Sequence, residues 1–139
     1  MNVFVDTNVM LDVLARREPH CADSSRVWTL AETGRVEAFV SAISLPNLFY
    51  ILCRTKGPKP ARKAMSILRD IFGLVALDAQ IVNQAIDSDI DDFEDAIQFF
   101  SALRADAAVL ITRNAKDFPS QDIAIQTPEE FLATHFARG

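Results

Sequence analysis

Short runs of aliphatic and β-branched residues alternate with longer stretches of helical periodicity along the whole chain, and this alternation restricts the fold more than any other feature. Asn2–Val5 is apolar and closed by Asp6, and Val36–Val40, Leu74–Leu77, Ala108–Ile111 and a weaker Ile123–Ile125 repeat the type. Between them lie helical segments with recognisable ends. Thr7 or Asn8 can cap Val9–Arg16, and Pro19 opens a run through Trp28 and Leu30 that stops at Gly34. Ser44 caps Leu45 to about Lys56, which Gly57 and Pro58 end, and Pro60–Phe72 stops at Gly73. Asp78 caps a helix to about Ile86, the acid-rich stretch Asp87–Asp92 leads into another to about Arg104, and Pro128 opens a last one to about Phe136. Strands separated by helices join through crossovers, so the pattern predicts an α/β fold with a parallel sheet of four to five strands.

The length of 139 residues and 50% hydrophobic content suit one domain, 1–139, with enough apolar material for a core. With 14 Lys+Arg against 19 Asp+Glu the net charge is −5, so an unaided phosphate-binding surface is not indicated and an anionic substrate would need a cation. Only four glycines are present, which excludes a Gly-rich phosphate loop. Cys21 and Cys53 lack metal-ligand spacing and read as core thiols. The start MNVFVD has no basic leader, and no apolar run approaches the roughly 18 residues of a membrane span. A cytoplasmic protein without a membrane partner is the expectation.

In open α/β sheets ligands gather outside the carboxyl ends of the strands, so acids that directly follow strands are the first candidates. Asp6 follows the first strand; Thr112, Arg113, Asn114 and Asp117 follow the fourth; Asp92 and Asp95 open the helix that leads into it. Winding that helix at about 100° per residue places Phe93, Ala96, Ile97, Phe100 and Leu103 on one stripe. Asp92 and Asp95 are neighbours on its flank, and Glu94 falls on the opposite, solvated side. Asp91 and Asp92 suit helix capping as well as chemistry. Two carboxylates side by side repel, which raises a pKa or demands a hard divalent ion with oxygen ligands.

Two metal-free readings compete. An Asp ending a first strand also suits an aspartyl nucleophile for phosphoryl transfer, but haloacid-dehalogenase-like phosphatases want a second Asp where this chain has Asn8. Alternatively every acid is structural and the domain is a binding module.

VFVDTNVMLDVL around Asp6, the central DFEDAIQFFSA and the late LITRNAKDF together resemble the PIN-domain family, particularly the toxin-like ribonucleases of bacterial VapBC-type toxin–antitoxin pairs. The resemblance covers nearly the whole chain. It implies a three-layer α/β/α sandwich on a mainly parallel sheet, with metal-coordinating acids at Asp6, Asp95 and Asp117 and Asp92 as a supplement. Thr112 and Asn114 would shape the loop beside them. It further implies metal-assisted hydrolysis of RNA phosphodiesters with Mg²⁺ or Mn²⁺, an antitoxin partner and a homodimer. The chain departs from the family pattern in SAISLPNLFYIL, where similar proteins usually carry a glutamate at the position of Asn47. Asn47 lies opposite the Leu45, Leu48, Phe49 and Leu52 stripe and can face a site, but an amide brings no negative charge. The alternative is therefore a catalytically degenerate domain that binds RNA or protein. Arg54, Lys56 and Arg113 are candidate phosphate contacts, and His20 and His135 are expected to play no catalytic part.

Overall fold

A computed structural model of the chain describes residues 1–119 and 122–136. Five strands, β1 (Asn2–Val5), β2 (Glu37–Ser41), β3 (Gly73–Val75), β4 (Val109–Ile111) and β5 (Ala124–Gln126), form one sheet in the order β3-β2-β1-β4-β5. Every neighbouring pair is parallel. Seven helices connect and cover them: α1 (Thr7–Leu14), α2 (Cys21–Glu32), α3 (Ser44–Lys56), α4 (Pro58–Ile71), α5 (Ala79–Asp87), α6 (Phe93–Arg104) and α7 (Pro128–His135).

The strands are apolar on both sides because both sides are covered. Val3, Val5, Val109 and Ile111 pack into one cluster with Val9 and Met10 of α1, Val27 of α2 and Phe131 of α7, to which α3 and α4 add Leu48 and Leu68. Phe4 and Leu110, pointing to the opposite face by the two-residue strand period, pack with Ile81 of α5 and with Ala96 and Phe99 of α6. The result is the three-layer sandwich expected, with a sheet that is parallel throughout.

Element ends fall within a few residues of the sequence reading, as helix boundaries usually do. Asp6 rather than Thr7 or Asn8 occupies the N-cap of α1, α2 begins at Cys21, α4 begins at Pro58, and β3 covers Gly73–Val75. Gly57 joins α3 directly to α4 at φ 88°, a left-handed conformation open to glycine and costly for other residues. Gly73 is needed for space, since a Cβ there would meet the Phe39 ring at 2.5 Å.

Two expectations change. The buried side of α6 is Ala96, Ile97, Gln98, Phe99, Ser101 and Ala102, whereas Phe93 is 49% exposed. Helix α6 packs against α5 as well as the sheet, so its covered arc is wider and turned relative to the apolar stripe. Cys21 and Cys53 are half-buried free thiols rather than core residues. Trp28 is likewise half-buried, set edge-on against Phe72 at 5.3 Å. Among the described residues no helix is long and apolar enough to cross a membrane.

Candidate active site

Strand order makes the site. The chain leaves β1 toward β2 and β3, then returns to the other side of β1 for β4 and β5, so the crossovers diverge between β1 and β4. At such a switch point the loops after the two strands part and leave a crevice at their carboxyl ends. Asp6 stands at the end of β1 and Thr112 at the end of β4, locked together by the Asp6 N–H donating to the Ile111 carbonyl at 2.9 Å.

Asp6 is buried, and Thr112 Oγ1 donates to its Oδ2 at 2.8 Å. Burial pushes the Asp6 carboxyl above its usual range, against the lowering effects of Thr112, the Thr7 and Asn8 amides and the Arg113 charge. Thr112 also organises its own loop. Its Oγ1 accepts from the Asn114 N–H at 3.2 Å, and the Asn114 carbonyl accepts from the Asp117 N–H at 2.9 Å. Asp117 thus ends a short 3₁₀ turn, Ala115–Asp117, one side of which faces α6 across an open cleft of about 740 Å³.

Asp95 lies in the first turn of α6 and borders both that cleft and a smaller one of about 310 Å³ shared with Asp6, Asn47 and Gln98. Its carboxyl is pushed up to about 6, first by burial and then by the negative charges of Asp92, Asp6, Asp117 and Glu94. Asp92 is the N-cap of α6, its Oδ1 accepting from the Asp95 N–H at 3.0 Å, so the capping and electrostatic readings of this residue are both realised. Glu94 is exposed, as expected, but it borders the smaller cleft and repels Asp95, which corrects its assignment to the far side of the helix. Asn47 is exposed on α3 and faces the smaller cleft, while Leu48 and Leu52 of the same helix are buried.

The donor chemistry of this arrangement fits a hard divalent ion: carboxylates from three separate elements press on Asp95, and among the described residues Lys116 is the one cation bordering the two clefts. Among the described residues no three His, Cys, Asp or Glu side chains stand close enough to form a closed ligand set. The acids border the same crevice from separate elements. Asp6 and Asp95 could hold the ion, with Asp92 beside Asp95, Asp117 across the larger cleft and the Asn47 amide as a neutral oxygen donor.

Of the proposed phosphate contacts, Arg113 is already engaged: its Nε lies 3.0 Å from Asp12 Oδ2. Lys56 donates to the Leu14 carbonyl at 3.0 Å, and Arg54 is exposed outside both clefts. His20 and His135 are exposed and line neither cleft.

Sequence reasoning passed over Gln98 and Asp12 and read Thr7 and Ser44 only as helix caps. Gln98, one turn beyond Asp95, is buried beside Asp6 and donates through Nε2 to Thr7 Oγ1 at 3.4 Å. Thr7 in turn shares a short hydrogen bond with the buried Ser44 of α3. Asp12 is fully buried on α1. Each carried a legible signal, a polar group at a helical position that winding turns inward among apolar neighbours.

The chain is 28% identical over 133 residues to Ribonuclease VapC1 of Aquifex aeolicus (strain VF5), covering 93% of this chain and 92% of that protein. Among solved structures, a chain of the toxin–antitoxin complex from Klebsiella pneumoniae superposes with a TM-score of 0.69 at 20% identity, over 91% of this chain and 97% of that one. VapC20 of Mycobacterium tuberculosis, described as a Sarcin-Ricin loop cleaving toxin, does so with a TM-score of 0.62 at 20% identity, over 78% and 86%. The profile of the PIN domain matches residues 2–116, which spans β1 into the loop after β4 and takes in Asp6, Asp92 and Asp95, ending one residue before Asp117. With that match over most of its length, the chain belongs to the PIN domain family.

Proposed function

We propose that this protein is a divalent-cation-dependent endoribonuclease, the toxin half of a toxin–antitoxin pair, which hydrolyses RNA phosphodiesters with Mg²⁺ or Mn²⁺ at Asp6, Asp95 and Asp117. The observation that carries this reading is the convergence of carboxylates on Asp95 at the β1/β4 switch point of a PIN-family chain. The relative named as a ribonuclease and the fold shared with chains of toxin–antitoxin complexes support the substrate class and an antitoxin partner. Homodimer formation and a cytoplasmic location belong to the same proposal.

A bound divalent ion would supply positive charge to a phosphate that this acidic crevice otherwise repels, and would ease deprotonation of an attacking water. The chain's own part is positional. Thr112 fixes one oxygen of Asp6 and leaves the other available, and the Thr112–Asn114–Asp117 bonds hold the late acid on its turn. Asp92 orients the start of α6 through the Asp95 amide. Asn47 and Gln98 offer amide groups beside Asp6, and Lys116 is the cation bordering the larger cleft. Ser88 borders the larger cleft, but its hydroxyl is spent on the Ala85 carbonyl at 2.8 Å, and this scheme assigns no nucleophilic side chain.

A second reading, a domain that binds RNA or protein without turnover, is favoured by one observation: the neutral Asn47 in the smaller cleft, which lowers the charge available to a cation. Titration of Mn²⁺ into the pure protein while cleavage of a panel of structured RNAs is followed separates the two. Cleavage that depends on Mn²⁺ and is lost in Asp6→Asn and Asp95→Asn is the expected result. RNA binding without cleavage at saturating Mn²⁺ would overturn the nuclease and favour the binding module.

A further inference from the structure

The strongest feature left unused by this scheme is a charge pair behind the crevice, between a fully buried acid and a half-buried arginine. Asp12 sits six residues after Asp6 on the inner face of α1, with a side chain fully removed from solvent, and meets Arg113 Nε through Oδ2 at 3.0 Å. The contact has ion-pair distance without hydrogen-bond geometry, and both Asp12 oxygens and Arg113 Nε make no hydrogen bond. The guanidinium is therefore held by charge rather than by a directed fork. Arg113 is the residue immediately after Thr112, whose hydroxyl grips Asp6, so its backbone is anchored beside the site's most buried acid.

We infer that Asp12 is a positioning residue that acts as a counter-charge for Arg113, keeping this guanidinium off Asp6 so that the Asp6 carboxylate stays open to a divalent cation. Without Asp12 a cation on a flexible stem would stand next to a buried carboxylate that has one unengaged oxygen. Attraction in the low-dielectric interior exceeds that toward Asp23 and Glu129, which line the outer side of Arg113 where water screens them. The Arg113 charge already reaches the Asp6 carboxyl, since it lowers that group's pKa. Arg17 and His20 also bear on Asp12 but lie on the exposed turn after α1, so neither replaces Arg113 as its contact partner.

The inference rests on the reading of Asp6 as a cation ligand, and the test distinguishes the two. Mn²⁺ alone is titrated calorimetrically into the full chain, the Asp12→Asn and Arg113→Met variants and the double variant, at pH 7.5, with a thermal melt of each. Asp12→Asn is expected to weaken Mn²⁺ binding by at least about tenfold, the scale of effects from residues that act on metal ligands from outside. Removing Arg113 as well is expected to bring the dissociation constant back to within about threefold of the parent. A purely structural role predicts the opposite, a double variant that binds no better than the single. If Asp12→Asn does not fold, Arg113→Met decides: it should bind Mn²⁺ at least as tightly as the parent, and weaker binding by the folded variant overturns the inference. Unchanged affinity in folded Asp12→Asn also overturns it while leaving Asp6 as a ligand, whereas no Mn²⁺ binding by the parent overturns both.

Discussion

Asp95→Asn removes the charge on which the crevice's repulsion converges, so it should stabilise the cation-free protein while removing cation binding. The carboxyl stands at about 6 instead of 3.8, which corresponds to about 3 kcal/mol of cost to the ionised folded state as an upper bound. Asp95 is only half-buried, so solvent screening reduces this, and loss of a favourable charge in the first turn of α6 subtracts about 0.5 kcal/mol. A net gain of about 1 kcal/mol remains, or about 4 °C in Tm for a domain of this size. The sign follows from linkage: between 3.8 and about 6 the folded state holds more protons than the unfolded, so parent stability falls as pH rises through that window and is flat above it. The advantage of the variant should be full at pH 7.5 and shrink to about a third by pH 4.5. Calorimetric melts with chelator across that range measure it, and added Mn²⁺ should reverse the order at pH 7.5 by stabilising the parent more. A variant no more stable than the parent at pH 7.5, or one whose advantage persists undiminished at pH 4.5, would refute the assignment of like-charge repulsion and burial to Asp95.

Asn47→Glu returns a carboxylate to the smaller cleft and should tighten Mn²⁺ binding by roughly tenfold in a calorimetric titration; no gain would remove this position from the ligand set. Thr112→Val deletes the hydroxyl that donates to Asp6 and accepts from Asn114, and should lower stability by about 1–3 kcal/mol in urea titration at pH 7, with the loss shrinking as Asp6 becomes protonated at lower pH. Leu110→Ala opens a cavity under β4, where the side chain is fully buried, and should cost about 2–5 kcal/mol by the same measurement.

Most of the architecture was legible because each strand and helix carries its own local signal. Val3 to Val5 and Val109 to Ile111 are apolar on both faces, which only a covered parallel strand requires, and Pro128 and Asp78 mark helix starts that the structure keeps. The capping of α6 by Asp92 was equally local, a side chain reaching three residues along its own chain. The apolar stripe of α6 was misplaced because its packing is not local. A helical wheel finds an apolar arc, but α5 and the sheet decide which part of the arc, and which polar residues with it, are enclosed.

The candidate acids Asp6, Asp92, Asp95 and Asp117 were visible from chain order alone, and so was the family resemblance they support, because strand-end acids follow directly from a βαβ pattern. What order along the chain cannot specify is which strands become neighbours. Placing β4 beside β1 rather than at the far edge brought Thr112 onto Asp6, faced Asn47 and Gln98 toward the same cleft and set Arg113 against Asp12. Those pairings span about a hundred residues and depend on long-range contacts whose energy exists only after the core has closed around them. The amino-acid order by itself therefore determined the elements, their parallel pairing and the acids available for chemistry. Only the tertiary structure decided which acid is crowded, which is clamped and which is paired with a half-buried arginine, since burial and mutual charge are properties of neighbours in space.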